Sequence, residues 1–533
     1  MAKRLTYLVL VLVLCLLAGA AAAQDASTTI YAHLTQDFDV LDPHVTNTTL
    51  GYQMAITFYD RLVAMDDDGN VIPSLATSWE GSGADALTLT LNPDAVCADG
   101  SPLNAEAVAN SLARMGANDT GAPFVYRTLG GAAGATEERY SVSHDNEAGA
   151  VTITMHEPFG ALLVGLAMPW ASIICPAGIE NPDSLIEGPQ GSGPYMLAES
   201  VRGDRYVAQA RPEYSWGARG TTTADEGFPQ TLVYQVVDNE TTAANLFLAG
   251  ELNIVTVSGA DFDRVAAAET FAVNGYSFGA QWLQLNKDEG LIGTDPAIRQ
   301  AVFKAVSRDE YLDVGFGGRG LFTNTFVSPL ALCYDAGLDS AYDEAVGFDP
   351  DAARQILADA GYASGADGKL ADADGNPVVL RLVDYGRAGA EAAELLILSL
   401  EDVGFTVEPF IVEFGGYLER LLRTGEWDVS ILGVNPPVPL PSAMVGYFSG
   451  GGTINTASTA NATFDAEFAL ANVTAGEESC MHWSNAMRAL LEDLEFKPLF
   501  SEERTYFGQG VEFTLFNNYT GTWDPITTRI VGE

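Results

Sequence analysis

The sequence predicts an α/β protein of two or three lobes, and three observations predict it. The chain runs to 533 residues, whereas a single hydrophobic core stops growing at roughly 250–300 residues. Hydrophobic residues make up 47% and aromatics 10%, which suits packed cores and not a disordered chain. Between residues 378 and 433 the apolar period switches repeatedly between strand and helix, the rhythm of a mixed α/β lobe.

The chain opens with an export signal. Lys3 and Arg4 precede an apolar run from Leu5 to Leu17, then small residues from Ala18 to Ala23, then Gln24-Asp25. That layout predicts a signal peptide over 1–23, cleaved after Ala21-Ala22-Ala23. The run is too short for a good membrane span. Cys15 follows Leu14, where lipid attachment wants a small residue, and it lies inside the apolar run, so no lipid anchor is expected.

Thr28 to Leu34 alternates and is β-branched, hence a strand. Gln53 to Leu62 reads as a helix, and Asp66 to Asn70 as a hairpin turn. Leu87-Thr88-Leu89-Thr90-Leu91 has period two, a half-buried strand. Asn104 can cap a helix whose apolar face is Val108, Leu112 and Met115. Tyr140 to Met155 holds a second hairpin pattern. Gly191-Ser192-Gly193-Pro194-Tyr195 is a breaker cluster, read as a crossing between lobes. Asp238 or Asn239 can cap a helix ending near Gly250. Asp295 to Tyr311 shows helical spacing, and Asp349-Pro350 opens a helix that Gly361 closes. Strands at 378–383, 406–412 and 427–433 then alternate with helices at 390–403 and 417–423.

Charge narrows the function. With 71 acidic against 26 basic residues the formal charge is −45, which repels phosphate backbones and argues against nucleic-acid binding. Once Cys15 is removed with the signal, Cys97, Cys175, Cys333 and Cys480 remain. An exported protein can form two disulfides from them in three pairings, against the alternative of four buried thiols. The expected pairs are Cys97–Cys175 and Cys333–Cys480, one in each lobe.

Motifs for chemistry are missing. Gly315-Phe316-Gly317-Gly318-Arg319-Gly320 matches a dinucleotide fingerprint but follows a helix, where a strand is required. No phosphate loop, nucleophile elbow or His-Glu-x-x-His occurs, and no two of the five histidines lie three or four apart. The acidic turns at 66–70 and 372–376 lack the ligand spacing of a calcium loop. No catalytic residue, metal or cofactor is expected.

Several segments together resemble the peptide- and nickel-type extracellular solute-binding proteins, family 5, of ATP-binding-cassette importers. They are Leu41-Asp42-Pro43-His44, Pro73-Ser74-Leu75-Ala76-Thr77-Ser78-Trp79, Asp99-Gly100-Ser101-Pro102-Leu103-Asn104-Ala105-Glu106-Ala107-Val108, Gly191 to Tyr195, Phe247 to Asn253, and Phe348 to Arg354 with Ala360-Gly361-Tyr362. The resemblance implies a two-lobed periplasmic-binding-protein clamshell, type II-like, with an additional third domain and mixed β-sheets flanked by helices. It implies a first lobe from 24–65, 187–277 and 505–533, an added domain at 66–186, and a second lobe at 278–504. It implies a monomer that carries a peptide-like or other small polar ligand to the membrane subunits of an ABC permease. Hinges would suit Gly191 to Gly193 and the stretch around Gly275 and Gly279. His44, Phe124, Tyr126, Trp282, Tyr385 and Asn435 are the expected cleft residues.

One departure bears on the ligand. Peptide receptors of the family carry an acid after the strand at Trp427, to pair a peptide's ammonium. Here Val434-Asn435-Pro436-Pro437-Val438-Pro439-Leu440-Pro441 has none, and an unpaired buried ammonium is costly. The rival readings are an exported hydrolase, which would need turnover, and a sensory or scaffold protein on the same frame.

Overall fold

The computed structural model describes residues 28–531, apart from 47, 67–68, 82–83, 118–138, 437, 451, 453, 475 and 519–520. The expected signal segment and Cys15 lie outside the described residues.

Three sheets organise the chain. The largest has eight strands. Thr29–Leu34 runs parallel to Thr231–Val236 and to Ile254–Val255. Arg205–Ala210 and Tyr195–Val201 extend it on one side, and Phe500–Gly508 with Phe271–Tyr276 on the other. A five-stranded sheet orders Thr406–Ile411, Val379–Asp384, Val429–Gly433, Gln281–Leu285 and Lys497–Pro498. A four-stranded antiparallel sheet is built from Ala76–Glu80, Ala86–Leu91, Ala150–Met155 and Tyr140–Asp145. Leu87, Leu89, Val151 and Ile153 are buried while their neighbours alternate outward, and Val108, Leu112 and Met115 of helix Ala105–Gly116 cover them. Asn104 caps that helix as expected, accepting from the Ala107 amide at 2.9 Å.

The helix expected at 417–423 starts earlier, as Phe414–Glu419 continued by a π turn over Arg420–Thr424, and two others change extent for a visible reason. The first runs over Thr49–Phe58, because the Thr48 hydroxyl caps it from four residues further back than expected and Tyr59 is already extended. The segment after Asp295 forms two helices, Pro296–Ala305 and Arg308–Phe316, because Ser307 takes an extended conformation and caps the second. The buried Lys497 Nζ donates to the carbonyls of Phe303 and Val306 at 2.7 and 2.6 Å, satisfying the open end of the first.

Gly191–Gly193 is not a crossing between the two large sheets. It is a seam within the first lobe: a Cβ on Gly191 would lie 2.3 Å from the Phe58 carbonyl oxygen, and one on Gly193 2.5 Å from the Phe58 carbonyl carbon. Glycine is needed there for close backbone approach. Ser192 between them donates to the buried Asp60 at 3.0 Å, which also accepts from Tyr214 Oη at 2.8 Å and Trp216 Nε1 at 2.9 Å. The large sheets are joined at 277–280 and through the strand Phe500–Gly508. That strand pairs with Gly320–Phe322 over residues 500–502 and with Phe271–Tyr276 over 503–508.

Both expected disulfides form, Cys97–Cys175 and Cys333–Cys480. Arg211, wholly buried, fastens the Cys97 loop to the first lobe by donating to the carbonyls of Val96, Cys97 and Gly193.

Candidate functional site: the junction of the two large sheets

Residues 502, 504 and 506 of the strand Phe500–Gly508 share one face, since side chains alternate along a strand. On the second-lobe side, Glu502 accepts from Gln281 Nε2 at 2.5 Å and forms an ion pair with Arg387, which follows the carboxyl end of Val379–Asp384. Burial would lower the Arg387 guanidinium, but Glu502 and the Tyr385 hydroxyl beside it outweigh burial and raise it. Arg387 also donates to Tyr385 Oη at 3.2 Å, and the Tyr385 ring lies 5.1 Å from Phe414 and 4.8 Å from Tyr417.

On the first-lobe side, Arg504 and Tyr506 line a cavity of about 160 Å³. It lies beyond the carboxyl ends of Thr29–Leu34 and Ile254–Val255 and against the first turn of helix Thr49–Phe58, with His33, Gln36, Thr49 and Gln53 in its wall. The carboxyl ends of parallel strands in both lobes thus converge on one strand face, the position where open α/β sheets place ligands.

The loop after Val429–Gly433 closes the arrangement. Val438 and Leu440 are buried in the apolar cluster of the four-stranded domain, together with Tyr52 and Trp170. The Pro439 carbonyl accepts from the Leu332 amide at 2.8 Å. Gly279 lies under this loop, where a Cβ would come within 2.5 Å of the Val434 carbonyl oxygen.

The expected cleft residues divide. Tyr385 is half-buried at the junction, and Asn435 is exposed on the closing loop. Phe124 and Tyr126 lie outside the described residues. Trp282 is core: its strand Gln281–Leu285 is buried on both faces, its ring packs on Tyr447 and Phe448, and its indole donates to Gln284 Oε1 at 3.1 Å.

His44 is also interior, 1% exposed. Arg114, which can only donate, meets its Nδ1 at 3.0 Å while pairing with Asp42. Nδ1 therefore accepts, and the hydrogen sits on Nε2, which donates to the Ser172 carbonyl at 2.9 Å. Burial depresses this imidazole to about 4, against a smaller raising effect of Asp42. The unfolded chain takes up this proton near pH 6.5 and the folded one near 4, so stability is full above 6.5 and is lost as pH falls towards 4. The loss amounts to roughly 3 kcal/mol. His44→Gln is expected to flatten the pH dependence by about one proton across that window; identical slopes in urea titrations of both proteins would refute this.

The residues missed by sequence reading are Arg387, Glu502 and Arg504. The sequence carried little signal for them: Glu502 and Arg504 sit in a polar run, Ser501-Glu502-Glu503-Arg504-Thr505, that does not single them out.

Two α/β lobes joined by two crossings, with a polar cavity on the first-lobe side of the joining strand, define the clamshell class of solute-binding proteins. The chain belongs to the bacterial extracellular solute-binding proteins, family 5, whose description "family 5 Middle" matches residues 70–456. It is 28% identical to the glutathione-binding protein GsiB of Pectobacterium atrosepticum, over 64% of this chain and 62% of that protein. The alignment thus spans less than two thirds of that relative. It is 24% identical to the nickel-binding periplasmic protein of Escherichia coli, over 73% and 71%. A substrate-binding protein from Microbacterium hydrocarbonoxydans, solved with 4-hydroxybenzoate hydrazide, superposes with a TM-score of 0.71 at 26% identity, covering 95% of this chain and 100% of that one. Among the described residues, no helix is long and apolar enough to cross a membrane.

Proposed function

We propose that the chain is the extracytoplasmic receptor of an ABC-type importer. It captures a peptide-like or other small polar solute between its lobes and passes it, unreacted, to separate membrane permease subunits. The observation that carries this reading is the convergence of both lobes' strand ends on the face of Phe500–Gly508 beside a polar cavity. Family membership supports transport binding over enzymatic turnover, so the hydrolase alternative recedes. In this reading the signal peptide 1–23 is removed, 24–65, 187–277 and 505–533 form the first lobe, 66–186 the added domain and 278–504 the second lobe, and the receptor acts as a monomer. Tyr385 and Asn435 border the solute, and the acid-free loop 434–441 offers no partner for a peptide ammonium.

Native mass spectrometry of the mature chain, purified without refolding, tests this. One solute per chain, recovered chemically unchanged, is the expected result. Conversion of recovered solute on incubation, or a chain that neither retains nor rebinds any solute from a growth-medium extract, would overturn it.

A further inference from the structure

The cavity at the first-lobe strand ends is lined by one arginine, Arg504, and no carboxylate, in a chain with 71 carboxylates against 26 basic residues. Asp39 lies just outside the lining, engaged by Thr46 and Thr48 at the start of helix Thr49–Phe58. Glu502, on the same strand face, is committed to Arg387 and Gln281. Among the described residues Arg504 forms no ion pair. Its guanidinium is left with its neighbour Tyr506, whose hydroxyl donates to the Gly521 carbonyl.

The opposite wall supplies further donors. Helix Thr49–Phe58 begins at the cavity. The Thr48 hydroxyl takes the Gly51 amide and the Thr48 carbonyl takes that of Tyr52. The amides of Thr49 and Leu50, the first two helical residues, have no intrahelical acceptor, and both residues line the cavity. A helix N-terminus adds partial positive charge at such a point. Independently, His33 lines the cavity at 6% exposure with its Nδ1 buried and unpartnered. Its Nε2 donates to the Val237 carbonyl at 2.8 Å, and burial keeps the ring neutral although the Thr256 backbone and Glu240 also act on it. In the tautomer protonated at Nε2, Nδ1 is left to accept an N–H or O–H. At about 160 Å³ the space compares with the roughly 150 Å³ that admits a benzene-sized guest.

Building on the solute-receptor reading above, we propose that this cavity is an anion subsite and that the solute is a small carboxylate bearing an N–H or O–H donor. The carboxylate lies between Arg504 and the first turn of Thr49–Phe58, and the donor is directed to His33. Thr48 itself does not add a hydroxyl hydrogen, since it donates to Asp39 at 2.8 Å.

Calorimetry of the mature chain with matched acid and primary-amide pairs tests this, using N-acetylglycine, 3-hydroxybutyrate and 4-hydroxybenzoate with their amides, and inorganic phosphate as a separate arm. At least one acid is expected to bind tenfold or more tightly than its amide. Arg504→Gln should erase that preference, and Arg504→Lys should restore part of it, with unfolding midpoints unchanged. Equal binding of acids and amides, an unaffected Arg504→Gln, binding of phosphate alone, or binding of none of the probes would each overturn the anion subsite. Recovery of a neutral solute by native mass spectrometry would overturn it while leaving the receptor reading intact. Failure to recover or rebind any solute would remove both.

Discussion

Replacing Cys333 and Cys480 together by serine is expected to cost about 4–5 kcal/mol of stability. The bridge joins residues 147 apart in sequence, tying the loop beyond Phe326–Val327 to helix Glu477–Glu492. A cross-link over so long a loop removes a large share of the unfolded chain's freedom, and the cost of closing it grows with the logarithm of loop length. The Cys97–Cys175 bridge spans 78 residues, so its removal should cost only a few tenths of a kcal/mol less by the same dependence. Urea unfolding of each double-serine variant, followed by tryptophan fluorescence, measures both. A loss under about 1 kcal/mol in either variant would show that the closed loop contributes little and that native packing carries the stability.

Asp60→Ala is expected to cost about 3–5 kcal/mol. Asp60 is 5% exposed and accepts from Ser192, Tyr214 and Trp216. Burial raises its carboxyl, and the three donors, with Arg61 nearby, pull the other way without fully offsetting it. Alanine would leave three buried donors without an acceptor in the seam that joins residues 58–60 to 191–193 and 211–216. Asp60→Asn keeps the volume but offers an amide nitrogen where a donor already points, so an intermediate loss is expected. The measurement is the urea midpoint of the three proteins. An alanine variant within 1 kcal/mol of the parent would mean that the donors find other partners.

Much of the architecture was legible because it is written in local chemistry. Strict alternation placed Leu87 to Leu91 on a half-buried strand. Cap residues marked the helix starts at Asn104, Asn239 and Asp349, whose side chains accept from the amides of Ala107, Thr242 and Ala352. Local rules failed where a distant partner decided the outcome. Gly191–Gly193 has the composition of a hinge, yet its freedom is spent on contact with Phe58. The break after Asp295 had a local mark in Ser307-Arg308-Asp309-Glu310, where Ser307 accepts from the Glu310 amide. What no local rule reveals is that Lys497, almost two hundred residues on, accommodates the end of the first helix.

The site was less legible than the fold. His44 and Trp282 are large, polar-tipped residues of the sort that line clefts, but Arg114 and Ser172 satisfy one and Gln284 the other inside the protein. Arg387 and Glu502 are unremarkable surface charges until the chain brings them together across 115 positions.

By itself, the sequence determined the family, the alternating α/β lobes and the lack of an acid in the loop 434–441, since each depends on residue type at short range. Which cysteines pair, 78 and 147 residues apart, was settled only by the fold. Only the tertiary structure decided which side chains share the junction. It laid Glu502, Arg504 and Tyr506 along one strand face, set Arg504 opposite the start of helix Thr49–Phe58, and buried Val438 and Leu440 in the other lobe's core. The physical reason is that burial and pairing are properties of segments far apart in the chain, and those are fixed only when the sheets are assembled.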